Sequence, residues 1–355
     1  MKKISIITFI FLTFWACNTQ NNVQKHIEKL DKNTDNRYLR IVSYNLENYF
    51  DPFNDSLTND EEFTPEGMRH WTWDKYKDKR NKIYKVLTAV GGWELPDIVG
   101  LYEVENEFVL RDLLKSTPLT WRTYEIVHKE SPDRRGIDVA MLYRTDKIKL
   151  ICKQFIEVVF PSDTSKKTRD ILYAKCFTND NDTLNIFINH WPSRYGGQAQ
   201  SEMNRQNVAK ILRLKIDSIF ASNQMSNIII IGDFNDEPDN VSITDFLKAV
   251  HNYDSLVPGK IYNLAWYMKE KKGMGSLKFQ GEWGLIDQIM VSSSMLMKNN
   301  SIYTTLDNAK VYKADFLTEP DDAFIGDKPF RTFIGFKYHG GFSDHYPIYL
   351  DLFHQ

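Results

Sequence analysis

The stretch Ile228–Pro238 reads IIIIGDFNDEP. Four consecutive isoleucines suit a strand buried on both faces, because a half-exposed strand would alternate apolar with polar residues. Gly232 ends the run, and Asp233, Asn235, Asp236 and Glu237 follow at its lip. Two readings of that lip compete. Gly, Asn, Asp and Pro are ordinary turn formers. Equally, polar side chains at the end of a rigid buried strand are held more firmly than on a free loop, as a catalytic group requires. The rest of the chain decides between them.

Other apolar segments end in the same kind of cargo. Arg40–Phe50, RIVSYNLENYF, breaks into polar residues at Asn45 and Glu47. Period-two spacing puts both on one face, where an amide and a carboxylate suit a hard cation as oxygen ligands. Pro96–Asn106, PDIVGLYEVEN, ends at Glu103, and RGIDVAMLYR (135–144) places Asp138 ahead of a strand. The strand in DTLNIFINHWPSR (182–194) ends at Asn189 and His190, since Pro192 cannot donate to a ladder. LIDQIMVS (285–292) sets Asp287 inside an apolar run, where an unpaired charge is expensive. Its natural partner is His345, which follows Ser343 and Asp344 in GGFSDHYPIYL (340–350). Asp236 and Glu237 are left as turn residues.

Helical spacing appears in Thr72–Val90, stopped by Gly91 and Gly92, and in 199–222. A helical patch is expected around 241–250, and the Lys- and Gly-rich run MKEKKGMGS (268–276) reads as a solvated loop. Segments 148–160 and 170–178 read as a hairpin. Their Cys152 and Cys176 either pair or remain two buried thiols. Strands alternating with helices and hairpins, with no linker or repeat across 38–355, indicate one α/β domain.

The N-terminus carries a different message. MKKISIITFIFLTFWA (1–16) has a basic start, an apolar run and a small residue before Cys17, which is a secretory signal too short to span a membrane. The segment resembles a bacterial lipoprotein signal, which implies lipidation of Cys17, export and attachment to an envelope membrane. Residues 17–37 read as a polar, flexible tether. Loss of residues 1–16 removes Lys2 and Lys3, leaving 43 basic against 47 acidic residues and a formal charge of −4. Such a balance weakens any case for tight, charge-driven DNA binding, although a local basic groove is compatible with it.

Asn, Asp, Glu and His at so many strand ends favour metal-assisted attack of water on a phosphoester, with Mg²⁺ or Mn²⁺ as the cation. The chain has no nucleophile elbow, Walker loop or dinucleotide fingerprint. The ordered motifs SYNLEN, VGLYEVEN, NHWPSR, IGDFND, LIDQIMVS and GFSDHYPI resemble those of the endonuclease/exonuclease/phosphatase superfamily over residues 38–353. That resemblance implies a four-layer α/β sandwich, two facing mixed sheets flanked by helices with the site at one end.

It also implies roles. Glu103 is the principal metal ligand, with Asn45 beside it and Glu47 and Asp344 as further ligands. Asp233 activates water, and Asn235 holds the water or a phosphate oxygen. His345, oriented by Asp287, stabilises the pentacovalent phosphorus, and His190 contacts the phosphate or assists the leaving group. Asp138 as a partner of His190 and Arg169 as a phosphate contact complete the set. A monomeric nuclease is the leading expectation. The alternatives are a phosphatase or sphingomyelinase-like enzyme, with IYNLAWYM (261–268) as a segment to inspect for membrane contact, and an inactive binding protein on the same scaffold.

Overall fold

The computed structural model describes residues 36–194 and 196–355. The leader, Cys17 and nearly all of the tether lie outside these residues, and Tyr38–Gln355 forms one compact unit. In chain order the strands are β1 (Leu39–Tyr49), β2 (Ile98–Val104), β3 (Tyr124–Val127), β4 (Asp138–Arg144), β5 (Ile148–Ile156), β6 (Ile171–Thr178), β7 (Thr183–His190), β8 (Ile228–Asp233), β9 (Ala249–Val250) and β10 (Ile261–Asn263). They continue as β11 (Leu277–Phe279), β12 (Glu282–Gly284), β13 (Asp287–Ser292), β14 (Ile302–Tyr303), β15 (Ala309–Val311), β16 (Thr318–Pro320), β17 (Asp327–Pro329), β18 (Phe333–Ile334), β19 (Lys337–Tyr338) and β20 (Ile348–His354). The longer helices are α1 (Trp73–Gly91), α2 (Glu107–Lys115), α3 (Gln198–Ser222) and α4 (Leu264–Lys272).

One seven-stranded sheet has the order β14-β20-β1-β2-β4-β3, with β15 also on β20, and the other runs β5-β6-β7-β8-β13-β10-β9. Pairs β1–β2 and β7–β8 are parallel. Their connections run through α1 and α3, because parallel neighbours need a crossover.

The four isoleucines show why the layers stack as they do. Ile229 and Ile231 join Ile41, Tyr102 and Met141 in the core between the sheets. Ile228 and Ile230 turn the other way, onto Val208, Leu212 and Ile216 of α3. On the far side, Val42, Tyr44 and Leu46 of β1 pack on Ile83, Val86 and Leu87 of α1. The result is the expected helix–sheet–sheet–helix sandwich. At Gly100 the sheets approach so closely that a Cβ would lie 2.7 Å from Ile231 Cδ1.

Several local expectations change. The 148–178 hairpin forms, but an irregularity between Leu150 and Cys152 sets Leu150 opposite Cys176 and Cys152 opposite Lys175. The thiols are free, and only Cys176 is buried. The 241–250 patch is one turn, Ser242–Phe246, followed by strand β9. The run at 268–276 begins inside α4, which Gly273 ends in the left-handed conformation (φ 60°). Residues 261–268 form β10 and the start of α4, with Leu264, Ala265 and Met268 in the core, so they offer no apolar hairpin to a membrane.

Candidate active site

The C-terminal ends of β1, β2, β7 and β8 meet at one edge, and β13, antiparallel to β8, begins there. Register alone puts His190 beside Asp233 and Asp233 beside Asp287. β2 slips its pairing at Glu103, which takes a left-handed backbone (φ 60°). Such a bulge re-aims a side chain. Glu47 (φ 51°), Asn48 (φ 60°) and Asn235 (φ 52°) share that conformation. It is costly for residues with a Cβ, and its clustering here marks a functional edge.

Asp233 is the hub. Its Oδ2 accepts from Asn45 Nδ2 at 3.0 Å, and its Oδ1 accepts from the Asn235 backbone N–H at 2.9 Å. His190 Nε2 lies 3.7 Å from Asp233 and 3.8 Å from Glu103. His345 Nε2 lies 3.9 Å from Asp233, while its Nδ1 bonds Asp287 Oδ2 at 2.7 Å. Ser276 Oγ donates to the same Asp287 oxygen at 2.6 Å. Glu103 Oε2 accepts from the Asn48 N–H at 2.9 Å. Asn235 Nδ2 donates to the Trp191 carbonyl at 3.0 Å.

Burial and neighbours separate the two histidines. Burial pushes His190 well below its ordinary range, and the cations Arg169 and Arg135 push it further, so it is neutral. Burial disfavours charge on His345 too, but Asp287 outweighs it and, with Asp344 and Asp233, holds His345 protonated. Asp233 is pushed up to about 7 by burial, partly offset by His345 and reinforced by Asp287. A carboxylate poised near neutrality beside a fixed cation is an acid–base arrangement.

Glu47 points elsewhere than expected. Its Oε2 accepts from Thr332 N at 2.5 Å, and its Oε1 accepts from Arg331 Nε at 3.2 Å and Phe333 N at 3.4 Å. Both oxygens therefore hold the 331–333 segment. Arg331 continues to Asp344 at 3.2 Å. Behind them, Lys79 is fully buried and donates to Thr332 Oγ1 and the Phe342 carbonyl, each at 2.5 Å. Lys79 stands on the apolar face of α1 between Tyr76 and Ile83, and that misplaced charge was the available signal for it. Ser276 and Arg331 lie in loops without pattern.

Two weaker expectations are revised. Asp138 does not reach His190: it accepts from the Ser131 N–H at 2.8 Å and lies 3.2 Å from His128 Nε2. Arg169 is buried with one arm on Asp133 at 2.9 Å and the other on the Trp191 carbonyl at 2.6 Å. It forms the floor of a cleft, one bond from Asn235's own acceptor. Asp236 is more than a turn residue, since it is buried against Arg205 at 2.8 Å and Ser242 Oγ at 2.6 Å and anchors the lip to α3.

The donors at this edge suit a hard divalent cation. Glu103, Asn45 and Asp344 supply oxygen atoms at this edge, where the carboxylates of Asp233 and Asp287 also lie. Ligand atoms of Asp233, Asp287 and His345 also lie within 4.8 Å of one another. There, however, the short Nδ1–Oδ2 bond marks Asp287 as the partner that orients His345.

No curated protein matches the chain. Solved structures share its fold. The human Nocturnin catalytic domain with bound sulfate aligns with a TM-score of 0.53 at 17% identity, covering 89% of this chain and 94% of that one. A mannosyl-6-phosphatase of Bacteroides thetaiotaomicron gives 0.53 at 19%, covering 88% and 99%. D. rerio TDP2, complexed with a single-strand DNA product, gives 0.53 at 16%, covering 88% and 98%. Residues 40–354 match the model of the Endonuclease/Exonuclease/phosphatase family, and the chain belongs to that family.

Proposed function

We propose that the protein is a divalent-metal-dependent phosphodiesterase, in the simplest case a nuclease, acting as a monomer. The observation that carries this reading is Asp233, fixed at both oxygens and flanked by His190 at 3.7 Å and His345 at 3.9 Å. Asn45 and the Asn235 N–H orient the carboxylate so that it takes the proton from an attacking water. His345, held charged by Asp287, donates to the phosphoryl oxygen where negative charge develops. His190, neutral and between Glu103 and Asp233, contacts the phosphate on the opposite flank. Glu103, Asn45 and Asp344 would hold the cation, which supplies polarisation of the phosphate oxygens when bound. Glu47 serves the site by fixing the 331–333 segment, from which Arg331 reaches Asp344.

The test is one panel with Mg²⁺ or Mn²⁺: single- and double-stranded DNA, RNA, abasic DNA, sphingomyelin, inositol phosphates, a sugar phosphate and a chromogenic bis-ester. Turnover of nucleic acid and the bis-ester is expected, abolished by EDTA and restored by the metal. Full activity in EDTA refutes the metal assignment. Turnover confined to monoesters favours a phosphatase, and no turnover of any substrate favours the inactive scaffold.

The leader motif supports export with lipidation at Cys17. Replacing Cys17 with serine should move the protein from the membrane to the soluble fraction of the producing cell. Unchanged membrane association would sink the anchor.

A further inference from the structure

The loop 132–136 divides two hollows of opposite charge, and Asp133 and Arg134 line both. One, about 520 Å³, is walled by carboxylates including Glu105, Glu130, Asp138 and Asp170. Lys129, on the same wall, is paired with Asp170 at 2.9 Å. Among the described residues, the other, about 810 Å³, is lined by Arg134, Arg135, Lys166, Lys167 and Arg169 against the carboxylates Asp133 and Asp163.

Charge in the second cleft is under-compensated. Asp133 serves two guanidiniums, Arg169 at 2.9 Å and Arg135 at 3.6 Å. Lys167 reaches Glu157 at 3.3 Å with both ends in solvent, a pairing worth little. Arg134 and Lys166 form no ion pair among the described residues. Arg169 is buried, and its Nε has no partner. One carbonyl links the floor of the cleft to the reaction centre, because Arg169 Nη2 and Asn235 Nδ2 donate to the same Trp191 oxygen, at 2.6 and 3.0 Å. Pro192 and Ser193, which follow His190 and Trp191, form its near wall.

We propose that this basic cleft binds a second phosphate group of the substrate, adjoining the one that is cleaved, so that preferred substrates carry at least two phosphates and extend from the scissile bond on the His190 side. The acidic hollow repels the same group and sets the direction. The inference rests on the phosphodiesterase reading for the position of the scissile phosphate. A neighbouring internucleotide linkage and a second phosphate on a small molecule offer the same chemistry to the cleft.

The test compares substrates differing by one phosphate: TpT against pTpT and TpTp, and fructose 6-phosphate against fructose 1,6-bisphosphate. Each is measured as kcat/KM with metal and as equilibrium binding in EDTA, where no turnover is needed. The extra phosphate should raise kcat/KM or tighten binding by about tenfold or more, as charge-assisted hydrogen bonds do, with the gain shrinking in high salt. Arg135→Gln with Lys166→Gln, both at exposed positions, should bring the ratio within each pair close to one. A gain in the nucleotide set identifies a nucleic-acid strand as the source, and a gain in the sugar pair identifies a small bisphosphate. Equal rates and equal binding within every pair, or a gain indifferent to the double variant, overturns the proposal. A binding gain without turnover of any substrate would support the cleft while refuting the catalytic reading.

Discussion

Asp233→Asn should lower kcat on a phosphodiester by about 10³-fold while leaving the fold intact, the loss expected when a positioned proton acceptor is removed. The substitution is nearly isosteric, and the amide oxygen can still accept the Asn235 N–H that now binds Asp233 Oδ1 at 2.9 Å. What disappears is the ability to take a proton, and with it the charge facing His190 and His345. Burial and Asp287 favour the protonated form of Asp233, against His345, up to about pH 7. A general base works only when deprotonated, so the wild-type rate should fall as pH drops through that region. A cation bound alongside shifts this limb to lower pH, and residual activity of the variant should lack it. The measurement is a pH–rate profile for both proteins, with thermal unfolding to confirm the fold. Activity within tenfold of wild type would remove Asp233 from the role assigned to it.

The second large effect is structural. Lys79→Met should destabilise the protein by about 1–3 kcal/mol, the range for leaving buried polar groups without their donor. Burial lowers the Lys79 ammonium from its usual range, and Glu47 and Asp344 counteract that by attracting its charge. Without it, Thr332 Oγ1 loses its donor, the Phe342 carbonyl is left to the Thr332 hydroxyl at 3.3 Å, and Glu47, itself pushed upward by burial and Asp344, loses a compensating cation. Glu47→Gln in the Lys79→Met background should recover part of the loss, because a buried charge left with Arg331 as its nearby cation goes and the amide oxygen can still accept from Thr332 N–H. Denaturant unfolding of the two single variants and the double variant measures this. A Lys79→Met cost under about 1 kcal/mol, typical of an exposed pair, would show that the amine does not hold the loop.

The legible parts of this molecule were those written locally. Ile228–Ile231 announced a doubly buried strand, Asn45, Glu103, His190 and Asp233 each sat at the end of an apolar run, and Asp287 and His345 sat within and just ahead of one. A strand fixes the edge at which its terminal side chain emerges, so these residues converge once the sheets form. Glu47 was misread because its role depends on where Thr332 and Phe333 come to lie, 285 and 286 residues away. Asp138 was misread for a related reason. It had the right chemistry to orient a histidine and orients one, but the partner is His128, ten residues away on the neighbouring strand end. Asp236 looked like a turn former because its partner Arg205 belongs to a helix whose face is hidden in sequence. Local pattern shows which elements exist, while partners between loops follow only from packing.

Ser343 Oγ donates to the Asn45 carbonyl at 2.7 Å, and β1 pairs over Leu39–Ser43 with β20, the last of the strands. The first strand of the folded unit thus waits for the last before its edge is complete. Synthesis runs from one end to the other. Asp344 and His345 therefore reach the site only after nearly all of the protein has emerged, and a partly made chain cannot cut phosphoesters. On the proposed roles of these residues, hydrolytic activity is tied to completion of the polypeptide by strand order.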